Sequence, residues 1–314
     1  MIDILVYGAI LAFSLFILAV ASRFAIKSIE NLIELTHLSE ASVGFAILSV
    51  MTSIPEIFVA VFSVLYGRPG FSVGDILGSN VFNIGIVIGV LATIGSLKKC
   101  STELLTELVD ILFLSSLIPI VLVMFGAASY FVGLALLGIF VFSVYQMTKK
   151  RTQPIIMKEI ETETKKPNKT VVILKIIIGI AVVVVSAEFI ILSATNIADL
   201  LEIPSILIGA KIIAIGTSMP ELALDLTAVR RGRIQLAVGD AIGSNLTNIT
   251  LVLGIVLIAS PPGAVTLTIL AEILPFVLIT TLILWRYLTK GGVTQLGGIA
   301  LIITYIVFQA VVTA

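Results

Sequence analysis

Charge is what this sequence has least of. Asp, Glu, Lys and Arg make up 12% of its 314 residues, about half the roughly 25% of a soluble globular domain. That deficit excludes a soluble enzyme, a disordered chain and a nucleic-acid binder. The 19 basic and 19 acidic residues cancel, so net charge implies no polyanionic partner. One cysteine, Cys100, excludes a disulfide framework and cysteine-cluster metal sites, and nothing marks the lone histidine, His37, as a site. Long polar stretches are scarce too. The single one, about 149–169, is rich in Lys and Glu with Pro154 and Pro167; a folded domain needs at least about 50 residues, so it reads as a short tether. What remains is apolar, 59% hydrophobic with a mean hydropathy of +1.20. A bilayer crossing takes about 20 residues, and the length has room for about ten. The chain reads as an all-α polytopic membrane protein.

Hydropathy and loop breakers place ten transmembrane helices at about 3–22, 41–66, 71–97, 107–125, 130–148, 170–193, 203–229, 234–259, 265–286 and 293–313. The first follows Asp3 with no basic stretch before it and no small-residue cleavage site, so it is read as a retained helix rather than a signal peptide. Cytoplasmic loops are enriched in Lys and Arg. With the N-terminus outside, 16 of the 19 basic residues fall in inside loops and only Arg68 in an outside one, Lys175 and Lys211 lying within helices. Both termini are therefore expected outside, in a multi-pass cell-membrane protein.

The strongest pattern is an internal repeat. Residues 44–90 and 209–255 align without a gap at an offset of 165, with 19 of 47 positions identical, among them Thr-Ser-x-Pro-Glu and Gly-Asp-x-x-Gly-Ser-Asn-x-x-Asn-Ile. Identity concentrated in polar residues does not arise from shared hydrophobicity. The same offset pairs Glu107 with Glu272, so the duplication is read as covering five helices: 1–148 as the first half, 149–169 as a cytoplasmic linker, 170–314 as the second half. An odd number of helices reverses direction, so the halves have inverted topology, an architecture of secondary transporters whose site lies near the midplane.

The repeated residues carry the chemistry. Glu56 and Glu221 lie in apolar segments, where a charge costs about 2.5–3.5 kcal/mol at the bilayer centre and usually marks an ion pathway. Pro55 and Pro220 precede them and free the carbonyls of Met51 and Gly216 four residues back. Thr52 shares a helix face with Glu56, as Thr217 does with Glu221. Asp75, Ser79 and Asn83 recur every four residues, as do Asp240, Ser244 and Asn248, each set a stripe about 12 Å long. Gly74, Gly78, Gly239 and Gly243 allow close approach along those stripes. Every donor is oxygen, which favours hard cations; Ca²⁺ takes 6–8 such ligands. Two glutamates balance one Ca²⁺ or two Na⁺, so one site can hold either cargo and bind them mutually exclusively. No catalytic residue or cofactor is indicated. No protein partner is named either, and since one chain carries both copies a monomer suffices.

The paired T-S-x-P-E and G-S-N-x-x-N elements resemble the alpha repeats of the sodium/calcium exchangers, in the calcium/cation antiporter superfamily, of prokaryotic type. The resemblance implies Na⁺-driven Ca²⁺ extrusion by alternating access, with the first two helices of one bundle sliding against the rest. It implies shared carboxylates at Glu56 and Glu221, and ligand roles for Thr52, Ser53, Thr217, Ser218, Ser79, Ser244, Asn83 and Asn248, joined by backbone carbonyls near Ser49 and Ala214. The sequence departs from the family pattern at Met51, usually Gly, and at Asp75 and Asp240, commonly neutral. Asn248 is Asp in some branches, and Arg23 stands opposite Glu188 where many relatives have two acids.

Asp75 and Asp240 have two readings, as helix-to-helix hydrogen-bonding groups or as extra negative charge at the site. Asp225, one turn past Glu221, extends its face. Lys211 has two readings, snorkelling outward or an ammonium standing in for a bound Na⁺; Glu188 is paired or exposed near a vestibule, and Trp285 with Tyr287 belongs to an interfacial belt. Three competing functions remain open: Ca²⁺/H⁺ exchange, a passive cation channel, and an intramembrane aspartyl protease built on Asp75 and Asp240. The protease leaves the duplicated T-S-x-P-E unexplained.

Overall fold

The fold is seen in a computed structural model that describes residues 2–36, 49–95, 97–98, 100–125, 129–149, 169–230, 232–261, 263–264 and 267–312. His37, the start of the second expected helix (41–48) and linker residues 150–168 lie outside the described residues. Everything regular among the described residues is helical. In chain order the helices are α1 (Ile2–Thr36), α2 (Ile54–Leu65, preceded by helical residues 49–52), α3 (Pro69–Thr93), α4 (Glu103–Phe125), α5 (Ser129–Lys149), α6 (Lys169–Leu201), α7 (Ser205–Arg230), α8 (Ile234–Ala259), α9 (Leu267–Leu288) and α10 (Gln295–Val311). Among the described residues six of these are long and apolar enough to cross a membrane: α1 over Ile2–Ser28, α3, α6, α7, α8 and α9 over Thr268–Leu288. α2, α5 and α10 contribute shorter apolar stretches. The chain is an all-helical membrane protein built from two inverted five-helix halves.

Two expected boundaries are short. The first helix runs to Thr36 rather than 22, and the sixth to Leu201 rather than 193. Hydropathy stops where the hydrocarbon stops, but helical hydrogen bonding continues into polar turns such as the one holding Asn196, whose amide donates to the Leu192 carbonyl at 2.7 Å. The two long helices α1 and α6 pack along each other at the periphery. Only 22% and 28% of their apolar windows are buried, against 83% for α3 and for α8. α3 and α8 are thus the centre of the bundle, and α1 and α6 present most of their surface to lipid.

The duplication governs the packing. α10 crosses the end of α3, and α5 crosses the end of α8. Each crossing is a contact of glycine with glycine. A Cβ at Gly133 would lie 2.8 Å from the carbonyl oxygen of Gly254, and one at Gly298 2.7 Å from that of Gly89. Both pairs are related by the repeat offset of 165. Without side chains there, the backbones touch and dispersion contacts replace the hydrophobic driving force that lipid does not supply.

Candidate cation site

The repeated T-S-x-P-E elements break their helices at one residue each. Ser53 has φ −79°, ψ 6° and Ser218 has φ −86°, ψ 3°, values in the sparsely populated bridge region. Helical hydrogen bonding resumes at once, Ile57 N–H donating to the Ser53 carbonyl at 3.0 Å and Leu222 N–H to that of Ser218 at 3.2 Å. The proline two residues on has no N–H to give, so the break is local and placed by sequence. A second repeated irregularity was not foreseen from the sequence. π-helical turns begin at Asn83 and at Asn248, spanning Asn83–Ile88 and Asn248–Val252. Such turns widen the backbone and are frequent at functional sites.

These features converge at the centre of the bundle. Thr52, Ser53, Glu56, Asp75, Ser79, Asn83, Thr217, Ser218, Glu221, Asp240, Ser244 and Asn248 are all fully buried, with Ser49 and Ala214 nearly so. The hydrogen bonds cross between the repeats. The Thr217 hydroxyl donates to Asp75 Oδ1 at 2.8 Å, and the Thr52 hydroxyl to Asp240 Oδ1 at 3.3 Å, the same pair related by the repeat. Ser79 Oγ lies 3.4 Å from Asp75 Oδ1, 3.3 Å from Thr217 Oγ1 and 3.5 Å from the Ala214 carbonyl. Thr52 also reaches the Ser49 carbonyl at 3.2 Å. Ser244 turns to its own helix, donating to the Ala241 carbonyl at 3.4 Å.

The two aspartates thus make the helix-to-helix bonds that were one of their two readings. The glutamates do not. No hydrogen bond reaches either oxygen of Glu56 or Glu221 among the described residues. Thr217 lies beside Glu56 as well, but its hydroxyl is held at 2.8 Å by Asp75. The Ser53 and Ser218 hydroxyls, Asn83 Oδ1 and both amide atoms of Asn248 are also without partners. Glu221 lies within electrostatic reach of Glu56, Asp240 and Asp225, and Glu56 of Asp75 and Asp240. An unmet buried polar group costs about 1–3 kcal/mol, more when charged. So many acceptors left bare around like charges require a cation or protons to offset them. No three His, Cys, Asp or Glu side chains stand in metal-holding geometry among the described residues.

Two asparagines escaped the sequence reading. Asn80 Nδ2 donates to the Asn245 carbonyl at 3.1 Å, and Asn245 Nδ2 to the Asn80 carbonyl at 3.0 Å. Asn83 Nδ2 adds a bond to Asn245 Oδ1 at 3.1 Å. This reciprocal clasp ties α3 to α8 beside the acidic cluster. Its signal was present, since both residues are the Asn of the repeated G-S-N. Other expectations on polar residues resolve as packing. Lys211 reaches across to the Gln309 carbonyl at 2.8 Å instead of simply turning outward. Glu188 accepts from the exposed Tyr66 hydroxyl at 3.1 Å, and Trp285 donates to Asp110 at 2.6 Å while stacking on Phe113.

The chain is similar to known proteins in sequence and in fold. A family model described as "Sodium/calcium exchanger protein" matches residues 6–149 and again 171–314. The chain is 26% identical to the sodium/calcium exchanger MaX1 of Methanosarcina acetivorans, over 96% of its own length and 97% of that relative. It is 28% identical to the uncharacterized membrane protein MJ0091 of Methanocaldococcus jannaschii, over 93% of each. Among solved structures, that of the sodium-calcium exchanger NCX_Mj soaked with 2.5 mM Na⁺ and 1 mM Sr²⁺ superposes with a TM-score of 0.68 at 25% identity, covering 98% of this chain and 99% of that one.

Proposed function

This chain belongs to the sodium/calcium exchanger family, as the match of both its halves shows, and we propose that it exchanges Na⁺ for Ca²⁺ by alternating access at the buried oxygen cluster. It is a transporter, not an enzyme. The observation that carries the reading is the pair of glutamates, one from each half, buried, with no hydrogen bond to their carboxylate oxygens among the described residues, and within reach of each other's charge. Two carboxylates match one Ca²⁺ or two Na⁺, so the cargoes compete for one site, as obligatory exchange requires. Glu56 and Glu221 are the shared ligands, with Thr52, Ser53, Ser79, Asn83, Thr217, Ser218, Ser244 and Asn248 and the carbonyls of Ser49 and Ala214 completing the oxygen shell. Asp75 and Asp240 hold Thr217 and Thr52 in place and add negative charge.

The two halves, 1–148 and 170–314, move about this site, joined by the tether 149–169. Their mobile part is the peripheral pair α1 and α6, the two least buried of the six long spans. Both termini face outward, with the basic loops inside. In support, the loop holding Lys98 touches the loop after α9 that holds Lys290, through Val293 N–H to the Leu97 carbonyl at 3.1 Å. Arg68 instead pairs at 2.7 Å with Asp199, at the end of α6.

The test is Ca²⁺ uptake into vesicles holding the purified chain, under an imposed Na⁺ gradient with pH clamped. Uptake that follows the Na⁺ gradient is expected. Uptake driven by a pH gradient and indifferent to Na⁺ would instead establish Ca²⁺/H⁺ exchange, and conduction without a counter-ion a channel.

A further inference from the structure

The loops that join α2 to α3 and α7 to α8 are mates at the repeat offset, and each carries an arginine at the same place. Gly67 and Gly232 turn the chain with φ of 68° and 75°. Arg68 and Arg233 follow, their backbone N–H groups donating to the Ser63 and Ala228 carbonyls at 2.8 and 2.9 Å. With inverted topology the two loops lie on opposite faces of the membrane. Arg68 Nη2 bonds to Asp199 Oδ1 at 2.7 Å, which joins the first loop to the last turn of α6. Beside it the Tyr66 hydroxyl donates to Glu188, also on α6.

The mate of Asp199 is Glu34, in the last turn of α1. The offset holds there without a gap: Asn31 and Leu35 around Glu34 match Asn196 and Leu200 around Asp199. Arginine and acid therefore recur together, Arg68 with Asp199 and Arg233 with Glu34. Each pair takes its arginine from one half and its acid from the other. α6 packs against α2, which leads into the Arg68 loop. Its mate α1 packs against Met219–Arg230 of α7, which leads into the Arg233 loop.

In a transporter of inverted repeats, switching access gives each half the conformation that the other held. The contact of the Arg68 loop with α6 then passes to the Arg233 loop with α1. We propose that the two ion pairs are alternating latches, Arg68–Asp199 closed on one face of the membrane while Arg233–Glu34 is open on the other, and the reverse. This rests on the reading that α1 and α6 move against the rest of the bundle. The Arg68–Asp199 pair suits a contact that must break in every cycle. Its side chains are 40% and 54% exposed, and ion pairs in contact with water are weak. The second contact has no mate, since Tyr66 and Glu188 correspond to Arg231 and Arg23, two like charges. The latch on the Arg68 face is therefore the stronger, which favours the conformation seen here.

The experiment measures spin-label distances by double electron–electron resonance on the full-length chain with Cys100→Ala, in lipid nanodiscs, at saturating Na⁺, at saturating Ca²⁺ and with neither ion. One sample carries labels at Leu65→Cys and Leu200→Cys, both exposed positions. The other carries them at the mates, Arg230→Cys and Leu35→Cys. Each label pair is expected to show a short and a long distance, the short fraction of one rising as that of the other falls. Asp199→Asn should lower the ratio of short to long at Leu65 and Leu200 by a factor of about 1.5–5, the scale of an exposed ion pair. The same variant should raise that ratio at Arg230 and Leu35. Glu34→Gln should do the opposite at both label pairs. Arg68→Gln and Arg233→Gln repeat the two tests from the arginine side. Two populations that none of these variants shifts, or that all shift in the same direction, overturn the latches and leave the motion of α1 and α6 in place. A single distance at each label pair, the same in Na⁺, in Ca²⁺ and without either, overturns the latches and the motion together.

Discussion

The two halves of the molecule are copies in their buried polar residues and differ in how those residues are bonded. Thr217 holds Asp75 at 2.8 Å, whereas its mate Thr52 holds Asp240 at 3.3 Å. Asn83 donates to Asn245, but the Asn248 side chain meets no partner among the described residues. Ser79 reaches across to the other repeat while Ser244 bonds within its own helix. Met51 stands opposite Gly216 and Ala60 opposite Asp225. A transporter whose inverted halves held identical conformations would be open to both sides or to neither. The lesson is that duplication supplies the same buried polar residues twice, while the two halves hold them in unequal conformations.

That comparison can be broken in order of expected effect. Glu56→Gln and Glu221→Gln should each nearly abolish Na⁺-driven Ca²⁺ uptake, because one carboxylate cannot offset a divalent ion at low dielectric. The two losses should be equal if the halves share one ion, and near-wild-type uptake in either variant would misplace the site. Next come Asn80→Ala and Asn245→Ala, each of which removes one donor to a carbonyl that keeps its own helical N–H partner. A loss of about 0.5–1.5 kcal/mol is expected for each, read as a lower midpoint of thermal unfolding in detergent. Asn245→Ala should be the worse, since Asn245 also accepts from Asn83; equal losses would remove that asymmetry. The smallest effects belong to the threonines. Thr217→Ala and Thr52→Ala should raise the Na⁺ concentration for half-maximal exchange more than the Ca²⁺ concentration. Thr217→Ala should do so by the larger factor, because its bond is the shorter. Identical Na⁺ curves for the two variants would show that the unequal bonds have no functional weight.

Much of this was legible in the residues. The polar identities at a fixed offset revealed the duplication, and the odd helix count its inversion. Pro55 and Pro220 located the helix breaks to within two residues of Ser53 and Ser218. The π turns at Asn83 and Asn248 carry no such mark, since neither a proline nor a glycine stands at their first residue. Nor was the clasp of Asn80 and Asn245 legible, although both residues lie in the repeated motif. Periodicity put them one position off the Asp-Ser-Asn stripe, and only the crossing of α3 with α8 brings the two amides to each other's carbonyls.

By itself the sequence determined the membrane, the duplication and the inventory of oxygen donors, because each depends on residue type and spacing along one chain. The tertiary structure decided which donors are already taken. Threonine and aspartate bond one another across the repeats, whereas among the described residues no hydrogen bond reaches the carboxylates of Glu56, Glu221 and Asp225. That division depends on distances of a few tenths of an ångström between helices far apart in sequence, which no spacing along the chain encodes.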